Sequence, residues 1–209
     1  MQRSTERILT THVGSLIRPP ELQEFLRRRQ AASGYDPAAH ARFLTRSVAE
    51  IVRAQAGAGI DVVSDGEFGK AISWSQYALE RLTGFERRPV APGANPFQRG
   101  ADRERFAEFY AELDAREGVA TTTDAVCVGP IGYAGEAELG RDIDNLKAAL
   151  KGVEFEEVFM PTISPSNIED WQKNAYYKSQ EEYVFAIAEA MRNSAHLRQS
   201  AMLASGWMM

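Results

Sequence analysis

Apolar and polar residues alternate along the chain in a pattern that predicts helices separated by short strands. Residues 37–56 show the helical pattern most clearly, because their apolar positions recur three and four residues apart. Similar spacing predicts helices near residues 21–30, 102–117, 136–151 and 179–192. β-Branched apolar runs that end in glycine, proline or polar residues predict strands at residues 8–13, 59–64, 121–128 and 155–163. This alternation is typical of an α/β fold with a parallel sheet.

The alternation amounts to about four strand-plus-helix units, which leaves two ways of closing the sheet. An open doubly wound sheet is disfavoured, because no glycine-rich dinucleotide fingerprint follows the first strand. A complete (β/α)8 barrel needs roughly 250 residues, whereas this chain has 209. Residues 84–100 are rich in proline, glycine and arginine, which indicates an excursion from the sheet. The pattern alone leaves both closures open, with four units filling the chain and a helical or hairpin excursion after the second strand.

The segment Asp61-Val-Val-Ser-Asp-Gly-Glu67 carries the strongest chemical signal. It starts as an apolar strand and ends in two carboxylates, Asp65 and Glu67, with one glycine between them. The carboxyl ends of parallel strands carry the chemistry in such folds, so both residues are candidate site residues. A hydrogen bond within the loop is an equally good interpretation of Asp65. A solvated loop carboxylate is the alternative for Glu67.

Charge and cysteine content narrow the classes of partner. The net charge is −5 and the basic residues are dispersed, so we expect no nucleic-acid partner. The single cysteine, Cys127, lies in an apolar run, which indicates a buried small side chain. One cysteine excludes an intramolecular disulfide and a multi-thiolate metal site. No apolar run approaches the roughly 18 residues of a membrane span, so we expect a cytoplasmic protein without a membrane partner.

Four motifs occur in order at or beside predicted strand ends. They are Thr10-Thr-His-Val-Gly-Ser15 with Arg18-Pro19, Asp61-Val-Val-Ser-Asp-Gly-Glu-Phe68, Val128-Gly-Pro-Ile131 and Phe159-Met-Pro-Thr-Ile-Ser-Pro165. Together they resemble the cobalamin-independent methionine synthase family, and most closely its short, single-barrel, methionine synthase II-like branch. The resemblance implies a partial (β/α)8 TIM barrel, in which residues 1–192 form the N-terminal half of a TIM-barrel methyltransferase domain. Residues 193–209, whose apolar spacing is irregular, are expected to be an atypical tail outside that fold.

The resemblance also implies an activity. Members of this family take part in methionine biosynthesis, and they transfer a methyl group from a folate to the thiol of homocysteine. They bind zinc through His, Cys and Glu ligands, and a zinc-bound thiol loses its proton and becomes a nucleophile. By this resemblance the partners are a small-molecule thiol and a methyl donor.

Site residues follow from the resemblance at the matching motifs. The turn of Gly14 and Ser15 is implied to lie against the amino-acid substrate, where a glycine lets the backbone approach a ligand closely. Glu67 is implied to hold the substrate ammonium. His12 stands beside the glycine turn and is a candidate for a substrate contact, with a packed or surface histidine as the alternative.

A second group of residues is implied on the methyl-donor side. Gly129 and Pro130 end the third predicted strand, and the resemblance implies that they lie near the folate-side pocket.

The family's zinc ligands, a His-X-Cys motif and a second cysteine, belong to the later half of the barrel and have no counterpart in this sequence. We therefore assign no metal ligand and expect the chain to be inactive alone. One alternative is a non-catalytic half-barrel that associates with itself or a partner through open sheet edges. Another is a different methyl or alkyl-thiol transferase, or a uroporphyrinogen-decarboxylase-like enzyme.

Overall fold

A computed structural model describes residues 4–70, 77, 79–89, 100–117 and 123–203 of the chain. Helices dominate these residues. They are α1 (Pro20–Gln30), α2 (Pro37–Gly57), α3 (Ala101–Arg105), α4 (Ala107–Glu117), α5 (Glu136–Ala149), α6 (Pro165–Trp171) and α7 (Gln180–Leu203). None of the helices in the described ranges is long and apolar enough to cross a membrane.

Local sequence explains where the longest helices begin. The Asp36 carboxylate accepts hydrogen bonds from the backbone N–H groups of Ala38 and Ala39, at 2.9 and 3.0 Å, and so caps α2. Ser179 caps α7 in the same way, because its hydroxyl accepts the N–H of Glu182 at 3.1 Å. Each cap satisfies backbone donors that the first helical turn leaves free.

The strands form two small sheets within the described residues. In the first sheet β1 (Val62–Val63) pairs in parallel with β4 (Glu157–Val158). In the second, β3 (Thr123–Cys127) lies between β2 (Phe85–Pro89), which is antiparallel to it, and β5 (Lys173–Asn174), which is parallel. The chain therefore has a mixed α/β architecture.

A hydrophobic core covers the first sheet. Helices α1, α2 and α5 contribute most of its side chains, and the two strands contribute one valine each. Its buried members are Leu22, Leu44, Val48, Val52, Val63, Phe68, Leu146, Ala149, Leu150 and Val158. Helix α2 packs directly on α5, so the pair forms the wall behind β1 and β4. This core fixes the position of the loop that follows β1.

A second core lies between β3 and the helices α6 and α7. Its buried residues are Leu82, Cys127, Ile168, Tyr183, Ile187 and Ala190. Cys127 is fully buried, which confirms its interpretation as a small core side chain. Burial raises the pKa of its thiol, against the effect of a hydrogen bond to the carbonyl of Gly129. The thiol is therefore held in its unreactive, protonated form.

The helices follow the predicted pattern, but the sheets are smaller than predicted. Residues 8–13 form one parallel bridge, from Thr11 to Val62, instead of a strand. One reason is that the N–H of Thr10 donates to the Asp61 carboxylate at 2.7 Å, so a side chain takes the place of a ladder partner. Only Glu157–Val158 is a strand within the predicted segment 155–163. Pro161, which has no N–H, closes off pairing farther along that segment.

Two further predictions concern the excursion and the tail. Strand β2 lies in the segment 84–100, where a hairpin was expected, and residues 90–99 are outside the described part. Helix α7 continues through residues 193–203. Residues 204–209 lie outside the described residues, and the domain boundary at residue 192 stays a prediction.

Candidate functional site

The segment before α1 runs alongside β1 and is anchored there by Asp61. The Asp61 carboxylate accepts the N–H and the hydroxyl of Thr10, at 2.7 and 2.9 Å, and it forms an ion pair with Arg7 at 2.6 Å. These contacts hold the pKa of the Asp61 carboxyl far below its usual range. The anchored segment then delivers the turn of Gly14 and Ser15 to the loop after β1, where the N–H of Leu16 donates to the carbonyl of Gly66 at 3.1 Å.

The loop after β1 is a tight turn with an unusual backbone. Gly66 and Glu67 both have positive φ angles, of 65° and 61°. A side chain at position 66 would be strained, and its Cβ would lie 3.3 Å from Ile51, so glycine is favoured there. Glu67 adopts the same left-handed conformation although it carries a side chain, which costs on the order of 1 kcal/mol. The strained backbone of Glu67 therefore destabilises the folded state, and the surrounding structure must compensate for it.

Asp65 and buried polar groups hold this turn in place. Asp65 is almost fully buried, and its Oδ1 accepts the N–H of Glu67 at 2.9 Å. The buried amide of Gln55 donates to the carbonyl of Ser64 at 2.7 Å and accepts its N–H at 3.1 Å. Asp65 thus supports the backbone of Glu67, which agrees with the loop-hydrogen-bond interpretation of this residue.

The Glu67 carboxylate receives one donor on each oxygen. The hydroxyl of Ser15 donates to Oε2 at 2.6 Å, and the ammonium of Lys70 donates to Oε1 at 2.8 Å. Glu67 and Lys70 side chains are only 15% and 10% exposed. The two strand-end motifs predicted to share a site, at residues 14–15 and at residue 67, therefore meet directly.

Electrostatics keep the Glu67 carboxylate ionised. Burial alone would raise its pKa, but the hydrogen bonds from Lys70 and Ser15 and the positive charges of Lys70 and Arg18 outweigh burial and lower it. Arg18 is half-buried, and its guanidinium donates to the backbone carbonyl of Glu67 at 3.1 Å. Burial lowers the pKa of Arg18, partly offset by the negative charges of Glu67 and Asp65. The result is a fixed negative charge with two cations beside it.

His12 is partly buried and stands just before the turn of Gly14 and Ser15 in the sequence. Its Nε2 atom is buried and has no hydrogen-bond partner among the described residues. A buried ring nitrogen without a partner is costly in a structural histidine. His12 therefore stays a candidate for a ligand contact.

Gly129 and Pro130 lie at the end of β3 and pack against a different loop. The carbonyl of Gly84 accepts the N–H groups of Val128 and Gly129, at 2.8 and 3.2 Å. A Cβ on Gly84 would lie 2.6 Å from the Pro130 oxygen, so this approach needs a glycine. The contacts described for this turn do not reach Glu67, and its role at a donor pocket stays a prediction.

The residues of the described ranges do not fit a zinc ion. They contain no group of three or more His, Cys, Asp or Glu side chains placed to hold a metal. Cys127 is buried in the second core, while the Glu67 carboxylate is engaged by Lys70 and Ser15. The three potential ligand types, His12, Glu67 and Cys127, are therefore not brought together as a ligand set.

Two site residues were not predicted, namely Lys70 as a partner of Glu67 and Asp142 behind the turn. Lys70 follows Glu67 by three residues, and the two side chains meet in a turn in which Glu67 has a positive φ. Asp142, on α5, forms a buried ion pair with Arg81 at 3.1 Å and accepts the hydroxyl of Tyr77 at 3.1 Å. Burial raises the pKa of Asp142 to about 6, although Arg81 opposes the shift. No local sequence signal marks this pairing, since its members are 61 residues apart.

A cavity of about 220 Å³ lies beside Phe68 and Gly69, which follow Glu67. Phe68 and Gly69 of the turn, together with residues of α1, α2 and α5, line it. Gly69 is in close contact with Asp142, because a Cβ there would lie 2.7 Å from its Oδ1. Asp142 therefore packs against the backbone of the turn at Gly69.

Comparisons with known proteins identify structural relatives of this fold. No protein-family model and no curated protein matches the sequence. A B12-independent methionine synthase from Shewanella sp. W3-18-1, solved in complex with selenomethionine, superposes with a TM-score of 0.56 at 18% identity. A putative vitamin-B12-independent methionine synthase from Listeria monocytogenes superposes with a TM-score of 0.62 at 17% identity.

The extent of each match differs between the two chains. The Shewanella match covers 81% of this chain and 42% of that one, and the Listeria match covers 94% and 50%. This chain therefore spans about half the length of the methionine synthase structures that it resembles. At these identities the comparison concerns the fold, which is that of cobalamin-independent methionine synthases over most of this chain.

Proposed function

We propose that this chain forms the amino-acid-binding part of a methyltransferase barrel of the cobalamin-independent methionine synthase type. The acceptor is a small amino-acid thiol such as homocysteine, and the methyl donor is a folate. The corresponding architecture is a partial TIM barrel. No step of the reaction is assigned to zinc, because the described residues do not fit that ion.

One observation carries this proposal. The Glu67 carboxylate is kept ionised at the end of β1, in a strained backbone conformation, with the hydroxyl of Ser15 2.6 Å away. Strained backbones persist where the surrounding structure imposes them, and they cluster at functional sites. An ionised and partly buried carboxylate is a suitable partner for an ammonium group. The site is therefore suited to bind the amine of an amino acid.

The structural relatives support the same ligand class. One of the superposed methionine synthases was solved in complex with selenomethionine, which is an amino acid. In the proposed arrangement the ligand amine contacts Glu67, and the turn at Gly14 and Ser15 lies along the ligand backbone. Gly14 has a φ of 106° and no atom within 4 Å of an added Cβ, so the turn is open on that side.

Calorimetric titration with L-methionine tests this function. The wild-type chain is expected to bind the ligand, and Glu67→Gln is expected to weaken binding at least about tenfold, as for the loss of a hydrogen bond to a charged group. Glu154→Gln is the matched control, because it removes an exposed carboxylate on the loop after α5. Equal affinity of wild type and Glu67→Gln, or no binding by the wild type, would contradict the proposal.

A second candidate function is association without catalysis. Three apolar side chains of the segment before α1 are exposed: Ile8 by 83%, Val13 by 73% and Ile17 by 92%. Exposed apolar groups that are close together commonly mark protein contacts. In this alternative the segment docks on another copy of the chain or on a partner.

Sedimentation velocity distinguishes the second candidate. Association through this segment predicts a concentration-dependent dimer that the double variant Val13→Ser, Ile17→Ser converts to a monomer. Phe185→Ser, which removes a 65%-exposed side chain on α7, is the control. A wild-type chain that stays monomeric at every concentration measured excludes this alternative.

A further inference from the structure

Lys70 is buried to an unusual degree for a lysine, and its ammonium is held by several partners. The side chain is 10% exposed, and Nζ lies 2.8 Å from Glu67 Oε1 and 3.0 Å from the carbonyl oxygen of Pro161. Nζ also lies 5.8 Å from the centre of the Tyr77 ring, within range of a weak cation–π contact. Lysine is seldom buried unless its charge is paired.

The ammonium of Lys70 has the same chemistry as the ligand group that Glu67 is proposed to bind. Both are compact cations with several N–H donors. The other oxygen of Glu67 already accepts the hydroxyl of Ser15 at 2.6 Å. The Lys70 ammonium therefore already occupies the position at Glu67 Oε1 that a ligand ammonium would take.

A second ammonium beside the first would be opposed by charge. Two like charges a few ångströms apart in a partly buried site repel strongly, and Arg18 adds a further positive charge nearby. Displacement of Lys70 avoids this repulsion. Lys70 also contacts the carbonyl of Pro161 and the Tyr77 ring, so Glu67 is not the sole partner of its ammonium.

We propose that Lys70 is an internal competitor for Glu67, which the amine of an incoming amino-acid ligand must displace. This inference rests on the proposed function, and it specifies how the site selects its ligand. A simple amine cannot displace Lys70 effectively, because it replaces one ammonium contact with another. A ligand that adds contacts to the turn at Gly14 and Ser15 gains binding energy that a simple amine lacks.

Substitution of Lys70 tests the competition directly. Lys70→Gln removes the charge but keeps an N–H donor for Pro161, and Lys70→Arg keeps the charge. Three probes are titrated: L-methionine, 3-(methylthio)propylamine, which lacks the carboxylate, and 4-(methylthio)butanoate, which lacks the amine. Thermal unfolding of each variant establishes that it folds.

Competition predicts a specific pattern. Lys70→Gln should bind both amine-bearing probes at least about tenfold more tightly than the wild type, with no gain for the butanoate. Lys70→Arg should bind like the wild type. A further readout is acetylation of Lys70 in the wild type, followed by mass spectrometry, which should become faster when L-methionine is added.

Other outcomes overturn the inference. Unchanged or weaker binding of the amines by Lys70→Gln contradicts competition, and weaker binding of the butanoate would make Lys70 a partner of the ligand carboxylate instead. If the wild type binds L-methionine while Lys70→Gln shows no gain, the inference fails and the proposed function stands. If neither protein binds any probe, both fail.

Discussion

At the residue scale, the backbone around Glu67 determines what the site can do. The positive φ angles of Gly66 and Glu67 turn the Glu67 side chain toward Ser15 and Lys70. The sequence identifies Glu67 as a residue at a strand end, and the family resemblance pairs it with the turn at Ser15. Its partner Lys70 was not predicted, because the contact lies in a turn where Glu67 has a backbone conformation that glutamate rarely adopts.

Ala32 provides a direct measure of such backbone strain away from the site. It has a φ of 49°, is exposed, and follows α1. We expect Ala32→Gly to stabilise the protein by about 0.5–1 kcal/mol, because glycine adopts this conformation without strain. Urea unfolding measures the change. Ala31→Gly is the matched control, since Ala31 has an ordinary φ of −72°, and it should give no such gain; equal effects would contradict the explanation.

The raised pKa of Asp142 leads us to expect that the stability of the protein depends on pH. The pKa of its carboxyl is raised to about 6 in the folded protein from 3.8, so the folded state binds this proton more tightly than the unfolded state does. The free energy of unfolding therefore decreases as the pH rises from about 4 to about 6, while the Asp142 carboxyl loses its proton. Above that range the carboxyl is ionised in both states and no further loss is expected. Asp142→Asn cannot ionise and should lack this loss.

Unfolding free energies of wild type and Asp142→Asn at pH 4 and pH 7 test the prediction. The wild type should lose on the order of 2 kcal/mol relative to the variant between these two pH values. A difference that is the same at both pH values would show that Asp142 is not the titrating group. Asp142→Asn removes the charged partner of Arg81 at both pH values. The resulting change in stability is therefore common to both measurements and cancels in the difference between them.

At the element scale, helices were more predictable than strands. The apolar face of α5, which includes Leu139, Ile143 and Leu146, is buried as its spacing indicates, since helical periodicity is a local property. Strand pairing depends on contacts far apart in sequence. Pairing in the first sheet is limited by the hydrogen bond that the Thr10 N–H donates to the Asp61 carboxylate and by the position of Pro161. Neither effect produces a periodic pattern in the sequence.

The packing of α5 on α2 gives a stability prediction for Leu146. Its side chain is fully buried in the first core. Leu146→Ala is expected to cost about 2–5 kcal/mol of unfolding free energy, through lost burial and a residual cavity. Phe185→Ala on α7 is the contrast, because a 65%-exposed side chain should cost about 0.5 kcal/mol or less despite its larger size. Denaturant unfolding of both variants should give clearly different midpoints, and similar midpoints would contradict the assigned core.

At the scale of the whole molecule, the chain superposes on about half of each methionine synthase structure. Its described residues hold two cores, with the loop after β1 resting on the first. The sequence motifs indicated the family fold on which the chain superposes. Among the described residues no group of His, Cys, Asp or Glu side chains is placed to hold the zinc expected from that family, and Cys127 is buried in the second core.

The central claim is that the Glu67 carboxylate binds the amine of a small amino acid. A crystal structure of the chain soaked with L-methionine tests it most directly. The account predicts the ligand nitrogen within hydrogen-bond distance of a Glu67 carboxylate oxygen, with Ser15 beside the ligand and the Lys70 ammonium moved away from Oε1. Methionine bound elsewhere, or bound with its amine directed away from Glu67 while Lys70 keeps its position, would contradict the account.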